Sequence, residues 1–116
     1  RSLVSIRVSQ MNWCSFCVDL NSLTMMNRIN NRDKIDALEN WRESELFSPA
    51  EAAALDYAEH MTDSKLQVTD ECFEQLKAHF DEAAIVELTA LIAVQNMSSK
   101  FNSALGIEPQ GLCQKK

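Results

Sequence analysis

The stretch NWCSFCVDLN, residues 12–21, decides the fold prediction, because it combines a helix start with two cysteines three positions apart. Asn12 is of a residue type that caps helix N-termini. The pattern predicts a helix that carries Cys14 and Cys17 in its first turn. The apolar residues of this helix recur at steps of three and four, as on one helical face: Trp13, Phe16, Cys17, Leu20, Leu23 and Met26 or Ile29.

Two further helix starts lie C-terminal to this stretch. Ser48 is an N-cap residue, Pro49 follows at the first helical position, and Glu51 can close a capping box. We expect this helix to run to about Met61. Thr69 caps another helix, whose first turn is acidic and therefore suits the positive end of the helix dipole.

The remaining segments extend the helical pattern in both directions. Residues 3–11 mix helical and alternating spacing and predict a short helix, and a break over 30–33 precedes another short one. Residues 82–105 predict a helix with a broad apolar face, and Gly106 is suitably placed to cap its C-terminus. A face this broad packs on several partners, which include a neighbouring subunit in an oligomer or other helices in a monomer.

Composition and charge restrict the classes of protein that fit. The 116 residues include two Gly and two Pro, which are too few for a turn-rich β architecture, so we predict an all-α bundle of about six helices. We expect one domain over residues 1–116; the missing initiator methionine leaves N-terminal truncation open. The net charge of -6 argues against a nucleic-acid partner and an anionic membrane surface. The longest uncharged run, 88–99, is too short to span a membrane.

The cysteine pair has the arrangement that thiol–disulfide chemistry requires. A thiol attacks as its thiolate, and with an ordinary pKa of about 8.5 little thiolate is present at neutral pH. The unpaired N–H groups and the dipole of a helix N-terminus favour the negative charge of a thiolate. The spacing of Cys14 and Cys17 lets one sulfur reach the other to close a disulfide.

Two alternative roles for the pair stay open from the residues alone. Cysteine is among the most buried residue types, so Cys14 and Cys17 can be small core residues. The pair can also contribute to a zinc site, but a structural site needs four ligands, and the other donors form no second close pair of standard spacing. These other cysteines and histidines are His60, Cys72, His79 and Cys113.

Three segments resemble one known family over nearly the whole chain. RVSQMNWCSFCVDLN, FSPAEAAALDYAEHMT and VTDECFEQLKAHFDEAAIVELTALIA occur in the order and spacing of the carboxymuconolactone decarboxylase and alkyl hydroperoxidase D (AhpD-like) family. The resemblance implies an AhpD-like helical bundle and a homo-oligomer, either a trimer or a hexamer. In the branch with two cysteines it also implies peroxide reduction by a thiolate, followed by a disulfide that an external dithiol reduces.

The resemblance implies catalytic roles for both cysteines. Cys17 would be the thiol that attacks peroxide and Cys14 the thiol that resolves it. The position of Cys14 nearer the helix start instead favours Cys14 as the more exposed and better activated sulfur. We therefore assign peroxide attack to Cys17 and thiol exchange to Cys14.

The sequence departs from the family at its proton relay. Asn21 stands where the family has a histidine, and Ser2 stands where it has a glutamate; neither side chain titrates near neutral pH. Near the C-terminus, Ser98 and Ser99 replace a tryptophan and an asparagine, while Asn96 and Asn102 are kept and are expected to form hydrogen bonds between helices. The resemblance therefore implies a weakened relay and an altered pocket wall.

Three functions remain open from the sequence. The first is a thiol-dependent peroxidase or disulfide oxidoreductase that uses Cys14 and Cys17, with a hydroperoxide or small disulfide as substrate and a dithiol as reductant. The second is a non-catalytic or redox-sensing member of the family. The third is a carboxymuconolactone decarboxylase, although that branch generally lacks the cysteine pair. We expect no cofactor and no metal, and the unpaired Cys72 and Cys113 favour a reducing cytoplasm.

Overall fold

The computed structural model describes residues 2–29 and 32–108, with the side chains of residues 3–26 and 32–108. The elements are α1 (Ser2–Met11), α2 (Ser15–Ile29), α3 (Arg32–Ala37), a 3-10 helix (Leu38–Glu43), α4 (Pro49–Thr62), α5 (Asp70–Lys77) and α6 (Glu82–Ala104). The described residues contain no β-strand, and the predicted all-α bundle of about six helices is confirmed. No helix among the described residues has both the length and the apolar composition needed to cross a membrane.

Helix α1 lies at the centre of the bundle, where it contacts α2, α4 and α6. Its side chains from residue 3 to residue 9 are buried, except for the partly exposed Arg7. A helix that is covered on several sides carries apolar residues around most of its circumference. This burial explains why the sequence of α1 shows no single apolar face.

The helix starts predicted from local signals agree with the observed hydrogen bonds. The Ser48 hydroxyl accepts the N–H of Glu51, the Glu51 carboxylate accepts the N–H of Ser48, and Pro49 begins α4. At the start of α5, Thr69 Oγ1 accepts the N–H of Cys72. Both caps satisfy N–H groups that have no partner inside the helix.

The short helix predicted after residue 33 consists of two elements, α3 and the 3-10 helix. Asn40 has non-helical angles (φ -122°, ψ 40°), which breaks the regular pattern. The large apolar side chains of these two elements, Ile35, Leu38 and Trp41, are nevertheless buried. The broad apolar face predicted for residues 82–105 is only partly buried in α6, because Ile85 and Ile92 are buried but Val94 is 58% exposed.

The turn between α1 and α2 fixes the position of the cysteine pair. Trp13 has a left-handed φ of 54°, and its N–H donates to the carbonyl oxygen of Gln10 at 3.2 Å. The N–H of Cys14 donates to the carbonyl oxygen of Ser9 at 3.0 Å. These two bonds form a Schellman motif with Trp13 at the position that usually holds glycine. Trp13 therefore lies outside α2 and is 84% exposed, contrary to its predicted place on the apolar face of that helix.

Candidate redox site

Cys14 occupies the N-cap position of α2. Its carbonyl oxygen accepts the N–H of Val18 at 3.0 Å, and its Sγ accepts the N–H of Cys17 at 3.2 Å. The sulfur thus takes the place of the side-chain oxygen that caps most helices. The predicted location of the pair at a helix N-terminus is confirmed, whereas the predicted cap, Asn12, is wrong because α2 begins only at Ser15.

Cys14 and Cys17 form a disulfide bond, with their Cα atoms 5.2 Å apart. The helix backbone sets this separation, so the two sulfurs stay within reach of each other when the bond is reduced. The N–H of Cys17 and the helix dipole then favour a thiolate on Cys14. The pair can therefore alternate between a dithiol and a disulfide without rearrangement of α2.

Cys17 has a second polar contact, from helix α6. Nδ2 of Asn102 donates a hydrogen bond to Sγ of Cys17 at 3.4 Å. The predicted hydrogen bonding of Asn102 between helices is confirmed, but its partner, a cysteine of the site, was not predicted. A donor at this position stabilises negative charge on the sulfur.

A surface groove of about 590 Å³ leads to only one of the two cysteines. Its lining includes Cys14 and the exposed Trp13, and it does not include Cys17. Both cysteines are largely buried, at 2% and 3% exposure. A reactant that enters this groove therefore meets Cys14 first. The carboxylates of Asp36 and Glu39 also line this groove.

The two relay positions do not supply a titrating group. Nδ2 of Asn21 donates to Oε1 of Gln95 at 3.3 Å, so its amide pairs with another amide on α6. Ser2 begins α1, but its side chain lies outside the described residues. Asn21 thus lies on α2, and its side chain contacts α6.

An arginine beside a thiol favours the thiolate, but the described contacts of Arg7 are with other residues. Arg7 donates to Glu59 at 2.8 Å and to Gln10 at 3.1 Å. The side chain of Arg28 lies outside the part of the chain that the structure describes. Among the described residues, the hydrogen bonds to the two sulfurs come from the N-terminus of α2 and from Asn102.

A buried hydrogen-bond network anchors the turn before the pair to α6. Nδ2 of Asn12 donates to Asn96 at 3.0 Å and to Ser99 at 2.8 Å, while Lys100 donates to Oδ1 of Asn12 at 2.9 Å. Nδ2 of Asn96 also donates to Thr62 at 3.0 Å, which confirms its predicted role between helices. The bonds of Asn12 to α6 were not predicted, because an asparagine next to the cysteine pair does not by itself indicate a partner on a distant helix.

The other cysteines lie away from this arrangement. Cys72 is 4% exposed and lies in the hydrophobic core. Cys113 lies outside the described residues. The candidate redox site thus consists of Cys14 and Cys17 with the contributing amide of Asn102.

Comparison with known proteins agrees with this structure. A family model described as the carboxymuconolactone decarboxylase family matches residues 1–60. The uncharacterized protein YnjA of Escherichia coli (strain K12) is 49% identical over 114 residues, which cover 98% of this chain and 63% of that protein. The uncharacterized protein YdfG of Bacillus subtilis (strain 168) is 37% identical over 108 residues, which cover 91% and 73%. The chain therefore spans less than two thirds of the length of YnjA.

A solved structure shares the fold. Protein ATU0492 of Agrobacterium tumefaciens, of unknown function and proposed to be the antioxidant defence protein AhpD, superposes with a TM-score of 0.86. It is 27% identical, and the match covers 93% of this chain and 75% of that one. Family match, helical bundle and cysteine pair agree: the chain belongs to the carboxymuconolactone decarboxylase family and has the AhpD-like fold.

Proposed function

We propose that this chain is a thiol-dependent oxidoreductase that reduces a hydroperoxide or a small disulfide through Cys14 and Cys17. The observation that carries the proposal is the disulfide at the N-terminus of α2, in which the Cys14 sulfur accepts the backbone N–H of Cys17. A helix N-terminus lowers the pKa of a thiol, and a neighbouring thiol converts the oxidised product into a reducible disulfide. The antioxidant role proposed for ATU0492 is consistent with this chemistry.

The reaction with a hydroperoxide proceeds in three steps. The Cys17 thiolate attacks the terminal oxygen of ROOH, so that the O–O bond breaks, Cys17 becomes a sulfenic acid, and the alkoxide takes up a proton to leave as ROH. The Cys14 thiolate then attacks this sulfur, closes the disulfide and releases hydroxide, which is protonated to water. An external dithiol reduces the disulfide and is itself oxidised to a disulfide.

The two cysteines differ in what surrounds them, and this difference supports separate roles. Cys14 lines the groove, where an external dithiol can attack its sulfur, and Cys17 is then the leaving thiolate. The Asn102 amide donates to the Cys17 sulfur and stabilises it as a leaving group and as a nucleophile. Attack of peroxide on Cys17 follows the family resemblance.

The proposed enzyme works without the usual histidine. Asn21 cannot take a proton from a thiol near neutral pH. Loss of a positioned general base typically lowers a rate by about 100- to 10,000-fold, so we expect slow turnover of peroxide. A thiolate already stabilised by the helix N-terminus needs less help from a base, and disulfide exchange at Cys14 is therefore less affected.

Consumption of a hydroperoxide in the presence of dithiothreitol tests this proposal. We expect Cys17→Ser to abolish turnover. Cys14→Ser, first reduced and then assayed after removal of dithiothreitol, should consume one equivalent of peroxide and stop, because the sulfenic acid on Cys17 then has no partner thiol to resolve it. Cys113→Ser is the control, since it removes a thiol outside the pair and should leave the rate unchanged. Turnover that survives in Cys17→Ser would overturn the assignment of the nucleophile.

A second candidate function is redox sensing with little turnover. It is favoured by the amide pair of Asn21 and Gln95, which occupies a relay position with groups that do not titrate. Titration of the two thiols separates the candidates. Apparent pKa values of both thiols at or above about 8.5, with no disulfide after mild oxidation, would favour this second function over catalysis.

We also propose that the protein is a homo-oligomer, a trimer or a hexamer as in the family it belongs to. Helix α6 exposes large apolar side chains at helical spacing, and a second copy of the chain would remove them from water. They are Val86, Val94, Met97 and Phe101, and Leu105 at the C-cap of the helix is also exposed. Light scattering should show that Phe101→Glu dissociates the oligomer, whereas the control Leu46→Glu, at an exposed residue outside the helices, should not.

The expected compartment is the reducing cytoplasm, as predicted from the unpaired cysteines. There, cellular dithiols would return the disulfide to the reduced state that attacks peroxide. Alkylation of the protein in intact cells, before lysis, would show whether Cys14 and Cys17 are mainly reduced, as this proposal requires.

A further inference from the structure

A second cluster of reactive side chains lies between α4 and α5, and the redox proposal does not use it. Asp56 and His60 stand one turn apart on α4, and Cys72 comes from the first turn of α5. One ligand atom from each residue, a carboxylate oxygen, an imidazole nitrogen and Sγ, lies within 4.8 Å of the other two. Three different donor types thus converge from two helices.

We propose that Asp56, His60 and Cys72 bind a zinc ion. Zinc takes sulfur, nitrogen and carboxylate oxygen ligands at about 2.0–2.3 Å in tetrahedral geometry, which separates neighbouring ligand atoms by roughly 3.3–3.8 Å. Donors already within 4.8 Å reach these separations through small side-chain rotations. Three protein ligands leave the fourth position to water or another small donor.

The side chains of the cluster are already arranged around one another. Nδ1 of His60 lies 2.8 Å from the backbone oxygen of Asp56 and 3.5 Å from its Oδ1, so the imidazole lies against the aspartate. The side chains of His60 and Asp56 are 19% and 24% exposed, which gives an ion access from solvent. Cys72 closes the inner side of the cluster, at 4% exposure.

The charges around Cys72 decide its state in the absence of metal. Burial, together with the nearby Asp56 carboxylate, raises the pKa of the Cys72 thiol to about 11. The metal-free cysteine is therefore a thiol at neutral pH and a poor nucleophile. Zinc binding converts it to a thiolate, and its proton is released to solvent.

Arg42 is the competing cation at this position. Its guanidinium bonds both Asp56 and, at 2.9 Å, Glu59. Its side chain is 55% exposed and stacks on Trp41, with the guanidinium carbon 4.4 Å from the ring centroid. Arg42 can therefore keep Glu59 and Trp41 as partners while it releases the aspartate to the metal.

Cobalt(II) is a suitable spectroscopic probe for this site, because its bond to a thiolate gives intense charge-transfer absorption. The protein should be kept oxidised, so that the disulfide prevents Cys14 and Cys17 from binding the metal, and it should carry Cys113→Ser to remove the tail thiol. We expect Co²⁺ to give the thiolate band, Zn²⁺ to abolish it by displacement, and Zn²⁺ to raise the Tm, since a ligand of the folded state stabilises that state.

Variants distinguish this cluster from adventitious binding. Cys72→Ser should remove the thiolate band, and His60→Gln should weaken Zn²⁺ binding at least tenfold, while the control His79→Gln should bind as the parent does. Because Cys72 is buried, its variant can fail to fold; His60→Gln, at a partly exposed position, then decides alone. Absence of the thiolate band in the parent, or equal Zn²⁺ affinity in the parent and His60→Gln, would overturn the proposal.

Discussion

Asn102 on α6 donates a hydrogen bond to the sulfur of Cys17 on α2, across 85 positions of sequence and 3.4 Å of space. Its side chain is a neutral amide, so it can stabilise a thiolate but cannot accept the proton of the thiol. A histidine relay both stabilises charge and accepts a proton, whereas this contact supplies only the first of these two effects. The site is therefore better suited to hold a thiolate than to generate one.

Substitution of Asn102 should raise the thiolate pKa of Cys17 in the reduced protein. Asn102→Ala removes the donor, and Asn102→Asp adds a negative charge that disfavours the thiolate further. A hydrogen bond to a charged group contributes about 1.5–3 kcal/mol, so we expect peroxide reduction to slow by roughly tenfold or more. Thiolate absorbance against pH, in the Cys14→Ser background, measures the shift. Equal pKa values in the parent and in Asn102→Asp would contradict this role.

A histidine at residue 21 should partly restore the missing relay. Asn21 lies four positions after Cys17 on α2, so the two side chains share a helix face and an imidazole at residue 21 can lie near the thiol. We expect Asn21→His to raise the rate of peroxide reduction by about tenfold or more, with a new dependence on a group that titrates near pH 6.5. The control Asn21→Ala loses the bond to Gln95 but gains no base. A rate increase of the same size in Asn21→Ala would show that the base is irrelevant.

Local signals in the sequence predicted the helix starts, because cap and partner lie within one turn. Ser48 and Glu51 are three residues apart, and their mutual bonds needed no knowledge of the fold. The roles of Asn12 and Asn102 could not be predicted in this way. Asn12 finds Ser99 across 87 positions, and Asn102 finds Cys17 across 85, so both depend on how α6 packs against the first two helices.

The cluster of Asp56, His60 and Cys72 was missed for a related reason. Metal-binding motifs with close cysteine and histidine pairs lie in one stretch of chain, whereas these ligands come from two helices and include an aspartate. Only the packing of α5 on α4 brings them together. The family resemblance gave no signal here either, since it concerns the pair at α2.

Trp13 and Gly106 hold the same position in two Schellman motifs, with φ of 54° and 67°. A left-handed conformation costs a non-glycine residue roughly 1–2 kcal/mol, and glycine gives back about 0.5–1 kcal/mol in entropy. Because Trp13 is 84% exposed, little packing is lost, and Trp13→Gly should stabilise the protein by about 0.5–1 kcal/mol. Urea unfolding measures this difference.

Gly106→Ala is the matched control for this effect. A Cβ at residue 106 would meet no atom within 4 Å, so any cost arises from the backbone conformation alone. We expect Gly106→Ala to destabilise the protein by about 1 kcal/mol. If Trp13→Gly lowered stability instead, the tryptophan would be making a contact that outweighs its backbone cost.

Glu59 should make the stability of the protein depend on acid pH. Burial alone would raise the pKa of Glu59, but hydrogen bonds from Trp41, Arg7 and Arg42 together outweigh burial and hold that pKa below its ordinary value. The folded state thus favours the carboxylate, so this stabilisation is complete above the unfolded pKa near 4.5 and is lost as pH falls through the lower folded pKa.

Glu59→Gln should cost about 2–3 kcal/mol in urea unfolding at pH 7, because the two arginines lose a partly buried partner. The difference from the parent should shrink below about pH 4. There Glu59 is protonated in the unfolded parent, so folding has to release that proton and the parent loses stability. A difference that stays constant from pH 7 to pH 3 would mean that the charge of Glu59 does not contribute and that only its packing does.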